Sequence, residues 1–367
     1  MKKPIAITAG ALIALAAGAA GASLNGYMQT NLVSDLPGVA ANQDPGLVNP
    51  WGIVAGPSTP FWVNDNGTGM ATLYDGNGAK LPLEVTVPTA PTGIVFNSSS
   101  NFGGARFIFD TEDGTLSAWN SGTSAVLKAT SPAGSVYKGL AIGNNGSGDL
   151  LYATNFGLGR VDVFDSNFHA TTLSGSFQDP TLPAGYAPFD IQNIGGKLYV
   201  TYALQDAAKT DDVAGPGHGF VDVFDLNGNL VKRLASQGAL NSPWGLALAP
   251  SGFGTLSGDL LIGNFGNGMI NAYDPSTGSF LSTLNDPNGS PVTIDGLWGL
   301  SFGNGAHSQG VDTLYFTAGI PGSGQVEDHG LFGSLSSAAV PEPQSLALGL
   351  LGLGACFLVV RYRVARS

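Results

Sequence analysis

A short unit recurs along this chain, and its spacing limits the fold more than any other feature does. The unit opens with a residue pair ending in glycine and continues into aliphatic residues: Trp51-Gly52-Ile-Val, Thr92-Gly93-Ile-Val, Lys138-Gly139-Leu-Ala, Phe189-Asp190-Ile, Trp244-Gly245-Leu-Ala and Trp298-Gly299-Leu. Proline precedes four of them, at Pro50, Pro91, Pro188 and Pro243. Successive units lie 41, 46, 51, 55 and 54 residues apart. A period of that size is that of propeller blades rather than helical solenoids.

Within each period the strand pattern repeats as well. The first reads Pro60-Phe-Trp-Val-Asn, a turn at Asp65 to Gly69, then Ala71-Thr-Leu-Tyr-Asp75; the third and fifth repeat it as Leu150 to Asp165 and Leu260 to Asp274. Alternation of apolar with small or polar residues, broken by Asn/Asp-Gly turns, signals antiparallel hairpins. Fourth strands follow at Leu83–Val87, Ala125–Ala129, Thr171–Ser174, Leu230–Leu234 and Phe280–Leu284. The sixth period supplies three strands only, and the stretch Tyr27–Ser34 near the N-terminus is a strand without a neighbour. Placed together they complete a blade and remove an exposed edge. The expectation is an all-β, six-bladed β-propeller over residues 23–337, closed by an N-terminal strand; five or seven blades are the alternative.

Composition agrees. The 367 residues include 55 Gly and 22 Pro, yet 43% are hydrophobic, as short strands joined by glycine turns require. Setting the two end segments aside, the body carries 9 basic against 25 acidic residues. A surface of that sign repels nucleic acid and anionic lipid. Cys356 is the only cysteine, so no disulfide framework, zinc site or thiol nucleophile belongs to the body.

The ends read as address labels. Lys2 and Lys3 precede an apolar run from Ile5 to Ala20, followed by small residues, which is the pattern of a signal peptide over residues 1–22 with an N-terminal signal helix. Residues 338–367 hold Pro341-Glu342-Pro343, a short apolar helix from Leu346 to Val360, and a basic end beginning at Arg361. Fifteen helical residues span roughly 22 Å against a bilayer core near 30 Å, which suits a processing signal better than a durable anchor. This tail resembles the PEP-CTERM sorting signal. The resemblance implies signal peptidase and a membrane exosortase as processing partners, only transient contact with the membrane, and delivery to the cell surface or extracellular matrix of a Gram-negative bacterium. The body, with Phe61-Trp-Val-Asn-Asp-Asn-Gly-Thr-Gly and Asn241-Ser-Pro-Trp-Gly-Leu-Ala, resembles a family of exported propellers and, more distantly, NHL repeats. Asp190 departs from that pattern by replacing the glycine.

Three groups of residues could carry chemistry. Trp51, Phe189, Trp244 and Trp298, with Asp190, stand at strand starts; they either ring a channel mouth, where they would stack on polysaccharide, or wedge between blades as packing. Asp65, Asp110, Asn155, Asp190, Asn264 and Asp295, with Asp206, Asp211, Asp212, Glu327 and Asp328 from two inserted loops, offer oxygen ligands for Ca²⁺, but Asn and Asp beside Gly also serve turns. His218 and His329 end the two insertions and are candidate general bases of a lactonase-like hydrolase, or solvated loop residues. No Gly-x-Ser-x-Gly elbow or phosphate loop is present in the sequence. The favoured expectation is a binding or structural module contacting polysaccharide or a surface protein, with no certain cofactor; a Ca²⁺-dependent hydrolase is the alternative.

Overall fold

Each blade of the computed structural model, which describes residues 26–323 and 326–338, is a four-stranded antiparallel meander around a central axis. Blade one comprises Pro50–Val54, Phe61–Asp65, Met70–Tyr74 and Lys80–Thr86, and blade two Pro91–Phe96, Phe107–Thr111, Thr115–Trp119 and Val126–Thr130. Blade three is Tyr137–Asn144, Asp149–Asn155, Arg160–Phe164 and the two-residue Ala170–Thr171; blade four is Tyr186–Ile194, Lys197–Leu204, Phe220–Phe224 and Leu230–Ser236. Blade five is Pro243–Leu248, Leu260–Asn264, Ile270–Tyr273 and Phe280–Thr283. Blade six takes Leu297–Phe302, Thr313–Ala318 and Leu331–Ala338 from the C-terminal side and Gly26–Ser34 from the N-terminal side. The six-bladed, all-β expectation and its closure by the N-terminal strand are therefore met. The signal helix and the Pro341-Glu342-Pro343 motif with its apolar helix and Arg361 lie outside the described residues.

Hairpins form where the sequence supplies turn chemistry. In four blades an aromatic residue closes the third strand and an aspartate follows: Asp75, Asp165, Asp225 and Asp274 each accept backbone N–H bonds from residues two to four positions on. That is the Asx turn, which lets a short side chain replace a missing backbone partner.

Alternate residues of a strand face opposite neighbours, so a blade buries both of its faces. Phe61 and Val63 pack toward blade six while Trp62 packs on blade two; Leu260 and Ile262 face blade four while Leu261 faces blade six. Six apolar clusters fill the six spaces between blades, and a seventh lies on the axis. Polar side chains of the second strands stitch blades together near the axis. Asn64 donates to the carbonyls of Thr92 and Gly93 at 3.1 and 3.0 Å, and Thr154 to those of Gly139 and Phe189 at 3.2 and 3.1 Å.

The repeated glycine has a packing reason. A Cβ on Gly52 would stand 2.5 Å from the carbonyl oxygen of Thr92 in the next blade, and one on Gly245 would stand 2.4 Å from that of Trp298. At these two positions the inner strands approach one another too closely for a side chain. Chain closure adds a further contact: Asp35, just past the N-terminal strand, accepts from the Gly330 N–H and bonds His329. A short strand not expected from the sequence, Asn42–Gln43, runs parallel to Val33–Ser34 and covers part of the outer edge.

Substituting Gly245→Ala forces two backbones apart. It should cost about 1–3 kcal/mol, as overpacking does, and lower the midpoint of thermal unfolding followed by circular dichroism. The same change at Gly148, where added atoms meet nothing within 4 Å, should leave the midpoint near its original value.

Candidate functional site

Every inner strand is bulged at the same step of its repeat. Pairing with the second strand slips between Pro50 and Ile53, Pro91 and Ile94, Tyr137 and Gly139, Pro188 and Asp190, Pro243 and Leu246, and Leu297 and Leu300. A bulge re-aims the side chain it carries, and here it places the residue before each glycine at the axis. The sequence puts aromatics at four of these positions.

Trp51, Phe189, Trp244 and Trp298 are 2%, 1%, 4% and 1% exposed, so their ring faces meet one another rather than solvent. Trp298 is sandwiched: Trp51 stacks on it at 3.6 Å and Phe265 at 4.0 Å between ring centroids. Trp244 and Phe189 approach it at 5.7 and 5.8 Å. Neither an open aromatic mouth nor wedges between blades describes this arrangement; the aromatics plug the axis. Indole nitrogens tie the plug to its surroundings, Trp298 donating to Asn49 at 3.2 Å and Trp244 to the Lys138 carbonyl at 3.0 Å.

Blade three breaks the aromatic pattern with Lys138, and the site is built around it. Its side chain is 1% exposed, and its ammonium lies 4.8 Å from the centroid of the Trp51 ring. Glu112, from the turn of blade two, bonds it at 2.6 Å, and Asp211, from the blade-four insertion, at 3.2 Å. Burial alone would push the lysine down, but these two carboxylates outweigh it and hold the ammonium above the usual lysine range. The network continues: Glu112 accepts from Asn66 at 3.0 Å, and Asn49 donates to Glu327 of the blade-six insertion at 3.0 Å and to Asn66 at 3.3 Å. Burial raises Glu327 to about 7, with Asn49 and Lys138 opposing and Glu112 and Asp211 adding to the rise. Glycine-poor strain gathers here too, with positive φ at Asn49, Ser242 and Glu327.

The other expected residues are dispersed. Asp65 accepts from Thr72 at 2.7 Å, Asp110 from Thr92 and the Gly93 N–H at 2.9 and 2.6 Å, and Asn155 donates to Asp162 at 2.7 Å. Asn264 donates to the Ala239 carbonyl at 2.8 Å, and Asp295 is exposed. Each serves its own blade, and among the described residues no three His, Cys, Asp or Glu side chains stand together as metal ligands would. His218 bonds the Val213 carbonyl at 2.7 Å within its own loop, and His329 bonds Asp35 at 2.6 Å. Both hold loops in place. Lys138 is, with Thr92, one of two strand starts in the sequence that carry no aromatic residue, and the only charged one of the six; Glu112 had no local signal, because its partner lies in another blade.

Two outcomes follow from this geometry. Lys138→Met leaves the half-buried Glu112 without its cation and should cost about 1–3 kcal/mol in chemical denaturation, below the cost of breaking a fully buried pair because Glu112 is 31% exposed and Asp211 70%; adding Glu112→Gln should recover a large part. Burial raises Asp110 to about 7 against Thr92 and Gly93. A raised carboxyl contributes stability that is complete below its unfolded value near 3.8 and lost as pH rises to about 7. Asp110→Asn should therefore gain on the unsubstituted protein between pH 4 and about 7 in denaturant midpoint, and keep a constant offset above.

No protein-family model matches the sequence. By fold the chain is similar to a streptogramin B lyase (TM-score 0.52, 12% identity, 87% of this chain and 100% of that one). It is similar also to virginiamycin B lyase from Staphylococcus aureus (0.51, 15%, 85% and 99%) and to a Bacteroides thetaiotaomicron protein of unknown function (0.54, 10%, 86% and 76%). At such identities the likeness speaks for the propeller fold alone. Sequence relatives are nearer. Uncharacterized protein R648 of Acanthamoeba polyphaga mimivirus is 34% identical over 314 residues, covering 79% of this chain and 76% of its own length. Uncharacterized protein L690 of the same virus is 35% identical over 329 residues, covering 83% and 84%. With that identity spread over most of each chain, the protein belongs to the family of six-bladed propellers that includes R648 and L690.

Proposed function

We propose that this protein is an exported propeller that acts as a binding or structural module at the cell surface or in the extracellular polysaccharide matrix. The observation that carries this reading is the filled axis. A lactonase-like hydrolase needs space beside its metal for substrate, and stacked tryptophans occupy that space at the mouth of the channel. What the protein offers instead is the surface above the plug. There the Glu112 turn and the described residues of the blade-four and blade-six insertions build an acid-rich face, with the Asp211 side chain 70% exposed. Polysaccharide or a surface protein would meet that face.

Export rests on the end segments: the signal peptide pattern of residues 1–22 and the Pro341-Glu342-Pro343 motif with Arg361. Intact-mass measurement of the protein recovered outside the cells should give a chain lacking both ends; cytoplasmic retention, or exported chain with its tail, overturns the export half. For the binding half, the protein should co-sediment with the host's extracellular polysaccharide or cell envelope. Glu112→Gln with Asp211→Asn should weaken that retention at least about tenfold, a loss of about 1.4 kcal/mol. Retention unchanged by the pair would remove the mouth from the binding surface.

A further inference from the structure

Beneath the aromatic plug the axis opens into a small chamber of about 30 Å³, room for a monatomic ion or one or two waters. All six inner strands wall it, through Gly52, Gly93, Leu140, Asp190, Gly245 and Gly299. Five of the six repeats carry glycine at the step after the axial residue, so closing the ring requires no side chain there. Blade four carries Asp190 instead, and among the described residues it is the only charged one on the chamber wall.

Asp190 is 7% exposed. The Ile191 N–H meets its carboxyl, and among the described residues no side-chain donor and no cation does. The charge nearest in effect is another acid. Asp110 of blade two is fully buried, has one oxygen without a partner among the described residues, and repels Asp190. Two buried carboxylates without a counter-charge are costly, because each loses hydration that one or two hydrogen bonds do not replace. Lys138 belongs to the mouth, where Glu112 and Asp211 hold it.

We infer that the chamber is a binding site for one hard divalent cation of calcium's kind, held by the Asp190 carboxylate and by main-chain oxygens of the surrounding inner strands. The inner strands are sheet edges, so main-chain carbonyls outside the ladders are the oxygens available beside the Asp190 carboxylate among otherwise apolar lining residues, and oxygen ligands suit calcium-like ions over softer metals. Two negative charges, one on the wall and one close behind it, balance a divalent ion. The volume is that of an ion with one or two waters. Burial keeps both carboxyls above their ordinary range, and a bound cation relieves that penalty. Such an ion ties six strands together on the axis; its role is structural and independent of what binds the mouth.

The decisive variant is Asp190→Gly, which restores the residue used by the other five blades and so keeps the ring packed. Purified protein is stripped with chelator, dialysed against about 1 mM Ca²⁺, Mg²⁺ or K⁺, a range suited to extracellular calcium sites, and assayed for bound metal and thermal midpoint. One Ca²⁺ per chain is expected in the unsubstituted protein, with an upward shift of several degrees, and neither in Asp190→Gly. Chelated Asp190→Gly should unfold at or above the midpoint of the chelated original, which shows that it folds. Glu112→Gln with Asp211→Asn should keep its Ca²⁺. Absence of stoichiometric calcium in the original, equal calcium in Asp190→Gly, loss of calcium from the mouth variant, or retention of K⁺ in its place would each overturn the assignment.

Discussion

The structure depends on how closely six backbones can approach one axis. Where an inner strand passes its neighbour, the space left for a side chain is less than one atom wide: an added Cβ would come within 2.4 to 2.7 Å of backbone at Gly52, Gly93, Gly245 and Gly299. Glycine makes that approach possible, and the bulge beside it turns the preceding side chain inward. One dipeptide therefore does two jobs. It closes the ring, and it supplies the group that fills the axis. Aromatic rings in that position bury large areas against one another, each of the order of 150–250 Å², so the plug is a core in its own right alongside the six cores between blades.

Much of this was legible in the sequence, because a blade is a local object. Its strands are consecutive, its turns carry Asn, Asp and Gly, and its period repeats. Even the closing strand could be placed, since an unpaired strand at Tyr27 and a three-stranded final blade each lack what the other offers. The fate of the tryptophans was not legible. Alternation assigns a residue to one face or the other, but a bulge breaks the alternation at the very position where they stand, and the repeat does not announce its bulge. Partnerships across blades were hidden for a related reason: Lys138 is 26 residues from Glu112 and 73 from Asp211, and no spacing rule connects turns from different blades. The oxygen-bearing residues misled in the opposite sense. Asp65, Asn155 and Asn264 recur at equivalent places, the ends of second strands, and Asp110 stands one step before that place; each serves the hydrogen bonds of its own blade, and equivalence by rotation keeps them apart.

Departures from the repeat are where the individuality of this propeller lies. Lys138 replaces an aromatic and brings a cation that organises carboxylates from blades two and four; Asp190 replaces a glycine and brings a charge to the axis. Both are held by a scaffold of second-strand polar groups and stacked rings that leaves them little freedom. A site supported in this way keeps its geometry without a bound partner, which is the condition for recognition with little ordering cost.

The pairing of Gly26–Ser34 with Leu331–Ala338 also sets an order of events. The first strand made must wait, without its neighbour, until some three hundred residues have followed it. Blades one to five are each complete within a contiguous stretch and can form as they emerge, but the ring stays open until the final hairpin arrives. A chain built this way stays a string of unjoined parts until its final hairpin is made, and only then becomes a closed ring. Its last step of folding then doubles as a check that the sixth blade has been made.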